Sequence, residues 1–269
     1  MGDGSMKANY HTHTARCGHA EGADEAYVLA AIGQGFEELG FSDHVPWPYK
    51  SGYLHLGVRM DVRRLDEYMH SVRALRDKYA DRIRIFTGFE CEYFPAYMGW
   101  LEDMACEKQL NYLILGNHYE DSDETGMYFG STRTAEQLSR YVKSTVAGVQ
   151  TGLFTYLAHP DLFMRTYKPF DDNCRAAARD LCQACREAGI PMEYNVHDRF
   201  ISYLNRRVSY PNPEFFEIAR QEGVRVVIGL DAHEPLELSD STQWDRAQRE
   251  LADYGAGFLD RVTLRGFSR

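Results

Sequence analysis

Short β-rich runs alternate with amphipathic stretches along the whole chain, and this alternation is what most restricts the fold. The runs Lys7–Tyr10, Glu38–Ser42, Arg84–Glu90, Tyr112–Gly116, Phe154–Ala158, Pro191–Asn195 and Arg225–Leu230 are bounded by turn formers and read as strands. Between them, Ala23–Glu37, Asp61–Tyr79, Tyr97–Lys108, Thr134–Val149, Asp171–Ala188 and Pro213–Gln221 carry apolar residues at helical spacing. A last helix is expected over Ser241–Tyr254. Gly189 and Gly223 stand where helix stops belong. A βα unit repeated about seven times implies a parallel sheet covered by helices, as a closed barrel or an open doubly wound sheet. The 269 residues suit one such unit. No linker, repeat or low-complexity tract divides them, so residues 6–269 are expected to form a single domain. Residues 1–5 read as a cloning scar, with Met6 as the natural start.

Charge then narrows the function. The formal net charge of −10 disfavours long nucleic acids, which need a basic surface. An anionic substrate would need a local positive source, and bound metal ions supply one. No apolar run approaches the roughly 18–20 residues of a membrane span, and no signal-peptide stretch opens the chain. Of six cysteines, Cys182 and Cys185 form a lone CxxC. With Cys174 they fall on one helical face, which reads as buried thiols in a reducing cytoplasm.

The histidines supply the chemistry. His11 and His13 follow the first run, with His19 six residues on. His44 follows the second, Glu90 ends the third, His118 follows the fourth, His159 follows the fifth, and Asp231 and His233 follow the seventh. In a parallel α/β barrel those strand ends converge on one face, where active sites sit. Imidazole and carboxylate together suit Zn, Fe or Mn. His55, in a Gly-rich stretch, and His70, within a helix, are expected to be solvated. His197 stands two residues past a strand end and reads equally as a substrate contact or a surface residue.

Rival phosphatase chemistries fit less well. No cysteine is followed by an arginine six positions later, as a cysteine phosphatase requires. Asp121-Ser-Asp123-Glu-Thr125 matches the pattern of an aspartyl-phosphate enzyme, yet it lies in a polar stretch rather than directly after a buried strand. The segment Tyr119–Arg133 is better read as an acidic surface loop near the site.

The ordered set His11-Thr-His13, Cys17-Gly-His19-Ala, Ser42-Asp43-His44, Gly88-Phe89-Glu90, Ala158-His159-Pro160 and Asp231-Ala232-His233 resembles the polymerase-and-histidinol-phosphatase (PHP) superfamily. The Cys-Gly-His-Ala element and Gly88–Pro95 are similar to the histidinol-phosphate phosphatases. His118, in Leu-Gly-Asn-His, departs from their more usual Gly-Ser-x-His, and the loop after it is unfamiliar. The resemblance implies a distorted (β/α)7 barrel with three divalent metal ions at its mouth. One ion would take His11, His13, Glu90 and Asp231. A second would take Glu90, His118 and His159, with Glu90 bridging. The third would take His19, His44 and His233.

The expected activity is hydrolysis of a small phosphomonoester, L-histidinol phosphate first, by a metal-bridging hydroxide. Arg165 and Arg199 are expected to hold the phosphate. Asp43 is expected to orient a ligand, relay a proton or cap the turn after it. The same site acting on a nucleotide, a phosphotyrosine-like ester or the 3′ end of a short oligonucleotide is the runner-up. A non-catalytic accessory domain is the reading from another class, and the complete ligand set argues against it.

Overall fold

The computed structural model describes residues 6–197, 210–255 and 258–268. The first four strands are β1 (Ala8–Asn9), β2 (Glu38–Phe41), β3 (Arg84–Cys91) and β4 (Tyr112–Leu115). They form a parallel sheet in chain order. A second parallel sheet holds β5 (Met192–Asn195), β6 (Val226–Gly229) and β7 (Phe258–Leu259). The register places Gly40 beside Phe86 and Glu90 beside Ile114. It places Tyr194 beside Ile228.

The expected strand Phe154–Ala158 is reduced to single bridges. Leu157 pairs in parallel with both Leu115 and Met192. Leu115 N–H donates to Tyr156 O at 3.0 Å, and Glu193 N–H donates to Leu157 O at 2.8 Å. The run is short because Gly152 turns the chain just before it and His159 turns it just after. Both have positive φ, 73° and 27°. On the other side Thr12 pairs with Ala232, through His13 N–H to Ala232 O at 2.9 Å and Ala232 N–H to His11 O at 3.0 Å. The two sheets are therefore joined at two places, through Leu157 between β4 and β5 and through the segments just past β1 and β6. The two-residue β7, pairing Phe258 with Val226, was not expected, and two residues carry no periodicity to read.

The helices follow the sequence reading closely. They are α1 (Asp24–Gln34), α2 (Leu65–Lys78), α3 (Met98–Glu107), α4 (Ala135–Gln150) and α5 (Asp172–Ala188). After them come α6 (Pro213–Gln221), the short unforeseen α7 (Pro235–Ser239), and α8 (Thr242–Asp253). Caps set their ends. Thr134 and Gln137 make a reciprocal capping box at α4. Asp171 caps α5, and Gly189 ends it at φ 70°. The small residues Cys174, Ala177, Ala178, Cys182 and Cys185 are buried on α5, which packs against α4 and α6.

Two apolar layers result. The larger lies between strands and helices. The smaller gathers Ala8, Tyr10, Tyr112, Ile114, Tyr156, Ala158, Val227 and Val262 from both sheets. Alternation along a strand sends neighbouring side chains to these two layers. No helix among the described residues is long and apolar enough to cross a membrane.

Candidate metal centre

Glu90 is the hub of the site. Strand alternation puts Glu90 and Glu92 on the same side of the end of β3, and Cys91 in the outer core. Room for the Glu90 carboxylate comes from the neighbouring strand, where a Cβ on Gly116 would overlap Glu90 Oε1. His11 and His13 follow β1 at the same two-residue spacing, as do Asp231 and His233 after β6. Asp231 (φ 51°) and His159 (φ 27°) hold left-handed backbone that side-chain-bearing residues seldom adopt. Such strain persists where surrounding structure enforces it, typically at working sites.

The distances bring the residues of the first two sets together around Glu90, and they group His44 and His233 with His13 rather than with His19. Glu90 Oε2 lies 3.5 Å from His11 Nε2 and 3.6 Å from His13 Nε2. Those two nitrogens lie 3.3 and 3.0 Å from Asp231 Oδ1. Glu90 Oε1 faces His159 Nε2 at 2.6 Å and His118 Nε2 at 3.3 Å. His44 Nδ1 is 3.0 Å from Glu90 Oε2. His13, His44 and His233 offer nitrogens within 4.8 Å of one another. The exposed His19 stands at the rim, its ring centre 4.7 Å from that of His233 and 5.4 Å from that of His44.

The atoms fit divalent cations. His11 Nε2, both nitrogens of His13, His44 Nδ1 and Asp231 Oδ1 are buried without a hydrogen-bond partner among the described residues. Orphaned buried polar atoms are costly, so a cluster of them converging on two carboxylates marks a cation site. As free side chains the imidazoles divide in two. Burial opposes the charge on His11, but Asp231, Glu193 and Glu90 outweigh it and hold its pKa well above the ordinary value. His13 behaves likewise, with Asp231 and Asp43 as partners. Burial pushes His44 down to about 4, and it also lowers His233, beside His13. Burial favours the neutral acid of Glu90, yet His118, His44 and His11 keep its pKa well below the usual range.

Several contributing residues escaped the sequence reading. Glu193, in mid-β5, accepts from His11 Nδ1 at 2.8 Å and from His159 N–H at 3.1 Å. A Cβ on Gly229 would overlap Glu193 Oε1, so a second glycine makes room for a second carboxylate. Asn195 Nδ2 donates to Glu193 at 2.9 Å and to Asp231 at 3.1 Å. Glu92 receives His118 Nδ1 at 3.1 Å. These partners fix which nitrogen of each ring faces the centre.

The other candidates fall as follows. Asp43 is fully buried behind the cluster, where it accepts from His44 N–H at 2.8 Å and from Thr14 Oγ1, and lies 3.6 Å from His13 Nδ1. Arg165 is exposed at the cavity wall, donating to Tyr128 Oη at 2.8 Å. Arg199 lies outside the described residues. His197 lines the cavity, its ring 4.5 Å from that of His233. His70 is exposed, whereas His55 is not simply solvated, since its Nδ1 bonds Asp123 at 3.0 Å. Asp123 in turn is buried against Arg59, while Asp121 and Thr125 are exposed, so the three do not converge on one phosphate site.

The cavity over the cluster has a volume of about 320 Å³. Besides the candidate ligands its walls carry Tyr119, Tyr128, Leu162, Arg165, His197 and Tyr210.

Comparison with known proteins agrees with this arrangement. The chain is 26% identical over 252 residues to a Deinococcus radiodurans protein named "Probable histidinol-phosphatase", covering 91% of this chain and 92% of that one. It is 23% identical over 256 residues to the histidinol-phosphatase of Bacillus subtilis, covering 85% and 94%. It shares its fold with histidinol phosphate phosphatase from Lactococcus lactis, at a TM-score of 0.69 and 17% identity, over 96% of this chain and 98% of that one. That structure is a complex with zinc, L-histidinol and phosphate. Residues 9–197 match the PHP domain, most of the chain, and the protein belongs to the PHP family.

Proposed function

We propose that the protein is a metal-dependent phosphomonoester hydrolase whose substrate is L-histidinol phosphate. The observation that carries this reading is the set of buried, unpartnered donor atoms converging on Glu90 and Asp231 beneath a cavity of small-ligand size. The names of the Deinococcus and Bacillus relatives and the ligands of the Lactococcus protein support the substrate. Residues 6–269 would form one domain. Its two sheets, tied at Leu157 and at Thr12–Ala232 around a shared inner apolar layer, would be the halves of one distorted (β/α)7 barrel. The six free thiols, five of them buried, suit a reducing cytoplasm.

Three ions, Zn, Fe or Mn, would be held by His11, His13, Glu90 and Asp231; by Glu90, His118 and His159; and by His19, His44 and His233. Bound there, such ions supply Lewis acidity toward a phosphoryl oxygen and acidify water. The chain's own residues supply the remainder. Glu193 and Glu92 hold His11 and His118 with Nε2 turned to the centre. Asp43 braces His13 and the turn that carries His44. Arg165 at the wall, joined by Arg199, would donate to phosphate oxygens. His197, which lines the cavity with its Nδ1 3.4 Å from Glu237 Oε1, would contact the substrate.

The test is phosphate release from protein of measured metal content. The panel holds L-histidinol phosphate, a nucleoside monophosphate, phosphotyrosine and a short oligonucleotide. Histidinol phosphate should be cleaved fastest, and chelation should abolish turnover until metal is restored. Metal-loaded protein that cleaves none of the monoesters would overturn the reading.

A further inference from the structure

We infer that Arg59 is a positioning residue that couples the loop walling the cavity to the metal-facing imidazole of His118. The sequence reading took residues 119–133 as an acidic surface loop, but the chain between Tyr119 and Tyr128 is a pinned hairpin. Tyr119 and Tyr128 form an antiparallel bridge, and Glu120 N–H donates to Met127 O at 3.0 Å. Both tyrosines line the cavity. At the tip, Asp123 is turned inward and is only 6% exposed.

Asp123 meets an arginine almost fully enclosed by protein. Arg59 is 3% exposed, and its guanidinium is shared among three acceptors. Nε donates to Asp123 Oδ2 at 2.5 Å, Nη2 to Glu92 Oε1 at 2.7 Å, and Nη1 to Val45 O at 3.1 Å. The same Glu92 oxygen receives His118 Nδ1 at 3.1 Å. Trp47 Nε1 occupies the other Glu92 oxygen at 2.9 Å. Asp123 is held further by Tyr49 Oη and by His55 Nδ1.

A continuous chain of charge-assisted bonds, buried as far as Glu92, therefore runs from Asp123 through Arg59 and Glu92 to the partly buried His118. Glu92, as a carboxylate, accepts only, so His118 carries its proton on Nδ1 and offers a lone pair at Nε2. That nitrogen points at Glu90 Oε1, 3.3 Å away, where two electron-rich atoms face the place of a cation. Removing the Asp123 charge frees Arg59 to shift toward Glu92 and disturbs the carboxylate that orients His118. The fork is also specific. A lysine has no planar array to serve three separated acceptors at once.

The inference rests on the metal reading of the site but not on the identity of the substrate. It is therefore tested by zinc affinity, from competition with a chromogenic chelator, on the full chain. Glu92→Gln should weaken zinc about 10- to 100-fold. Asp123→Asn, which touches no candidate ligand, should weaken it about 2- to 30-fold. The double variant should lose less than the product of the two single losses, because Asp123 reaches His118 only through Arg59 and Glu92. Tyr49→Phe removes a bond to Asp123 alone and should shift zinc affinity the same way, more mildly. It serves if Asp123→Asn does not fold. Thr134→Ala, which weakens a distant helix cap, should lower the melting temperature without changing zinc affinity. Unaltered zinc affinity in both Asp123→Asn and Tyr49→Phe, or multiplicative losses in the double variant, would overturn the coupling. Inactivity of the parent enzyme on every phosphomonoester would strike the substrate reading and leave this one standing.

Discussion

A ligand is only as good as the space it occupies, and two glycines here create that space. Gly116 and Gly229 stand where any Cβ would overlap the carboxylates of Glu90 and Glu193. Gly116→Ala is expected to displace Glu90 and deplete bound metal, although no metal-facing atom is altered. Elemental analysis checks this, and wild-type metal content would contradict it. Glu193→Gln keeps the volume but loses the charged acceptor for His11 Nδ1, and should weaken metal affinity about 10- to 100-fold. Arg165→Ala removes a charged donor from the wall and should cost about 1.5–3 kcal/mol in kcat/KM, roughly 10- to 150-fold, with metal content unchanged. A variant equal to wild type would remove Arg165 from phosphate binding. At this scale the sequence was informative about His11, His13, His44, His118, His159 and His233, because each follows a β-rich run. Glu193 was hidden because a carboxylate within Met192–Asn195 looks like part of a buried strand. Gly116 and Gly229 were hidden because strand-end glycines have many uses.

The elements were legible where periodicity was long and caps were explicit. Pro213–Gln221 was read to the residue, and α4 and α5 to within one residue at each end, since Thr134, Asp171 and Gly189 mark their limits. Thr134→Ala should lower stability by about 1 kcal/mol through loss of the capping box. For a chain of this size that is a fall of about 2–4 °C in melting temperature, read by calorimetry. Reading failed where elements are short or held by distant partners. Leu157 pairs with both neighbours, yet turns on either side leave no run to count. The hairpin from Tyr119 to Tyr128 is specified by Asp123 meeting Arg59, and no local pattern encodes a contact across 64 positions.

Across the whole molecule, the parallel architecture followed from the order of the motifs, while the contacts that join the two sheets did not. A net charge of −10 gathers part of its acidity around the centre, so stripping the ions should destabilise the protein as well as silence it. Chelation should lower the melting temperature reversibly, and an unchanged transition would argue against resident metal. Protons compete for the same atoms. His11, His13 and His159 hold protons above the ordinary imidazole range as free side chains, and cations must displace them. Zinc uptake should therefore acidify a weakly buffered solution, and apparent affinity should fall as pH is lowered. Uptake without proton release would refute this.

The bridge between Thr12 and Ala232 also carries a consequence for biogenesis. It joins the segment just past the first strand to one some 220 positions later, placing Asp231 beside His11 and His13 only once β6 has been made. Contacts of such separation form late in folding. A nascent polypeptide still lacking β6 would display most of the imidazoles without the carboxylate that gathers two of them. Tight ion capture would then be reserved for finished molecules, and the metal would act as a seal on completed synthesis.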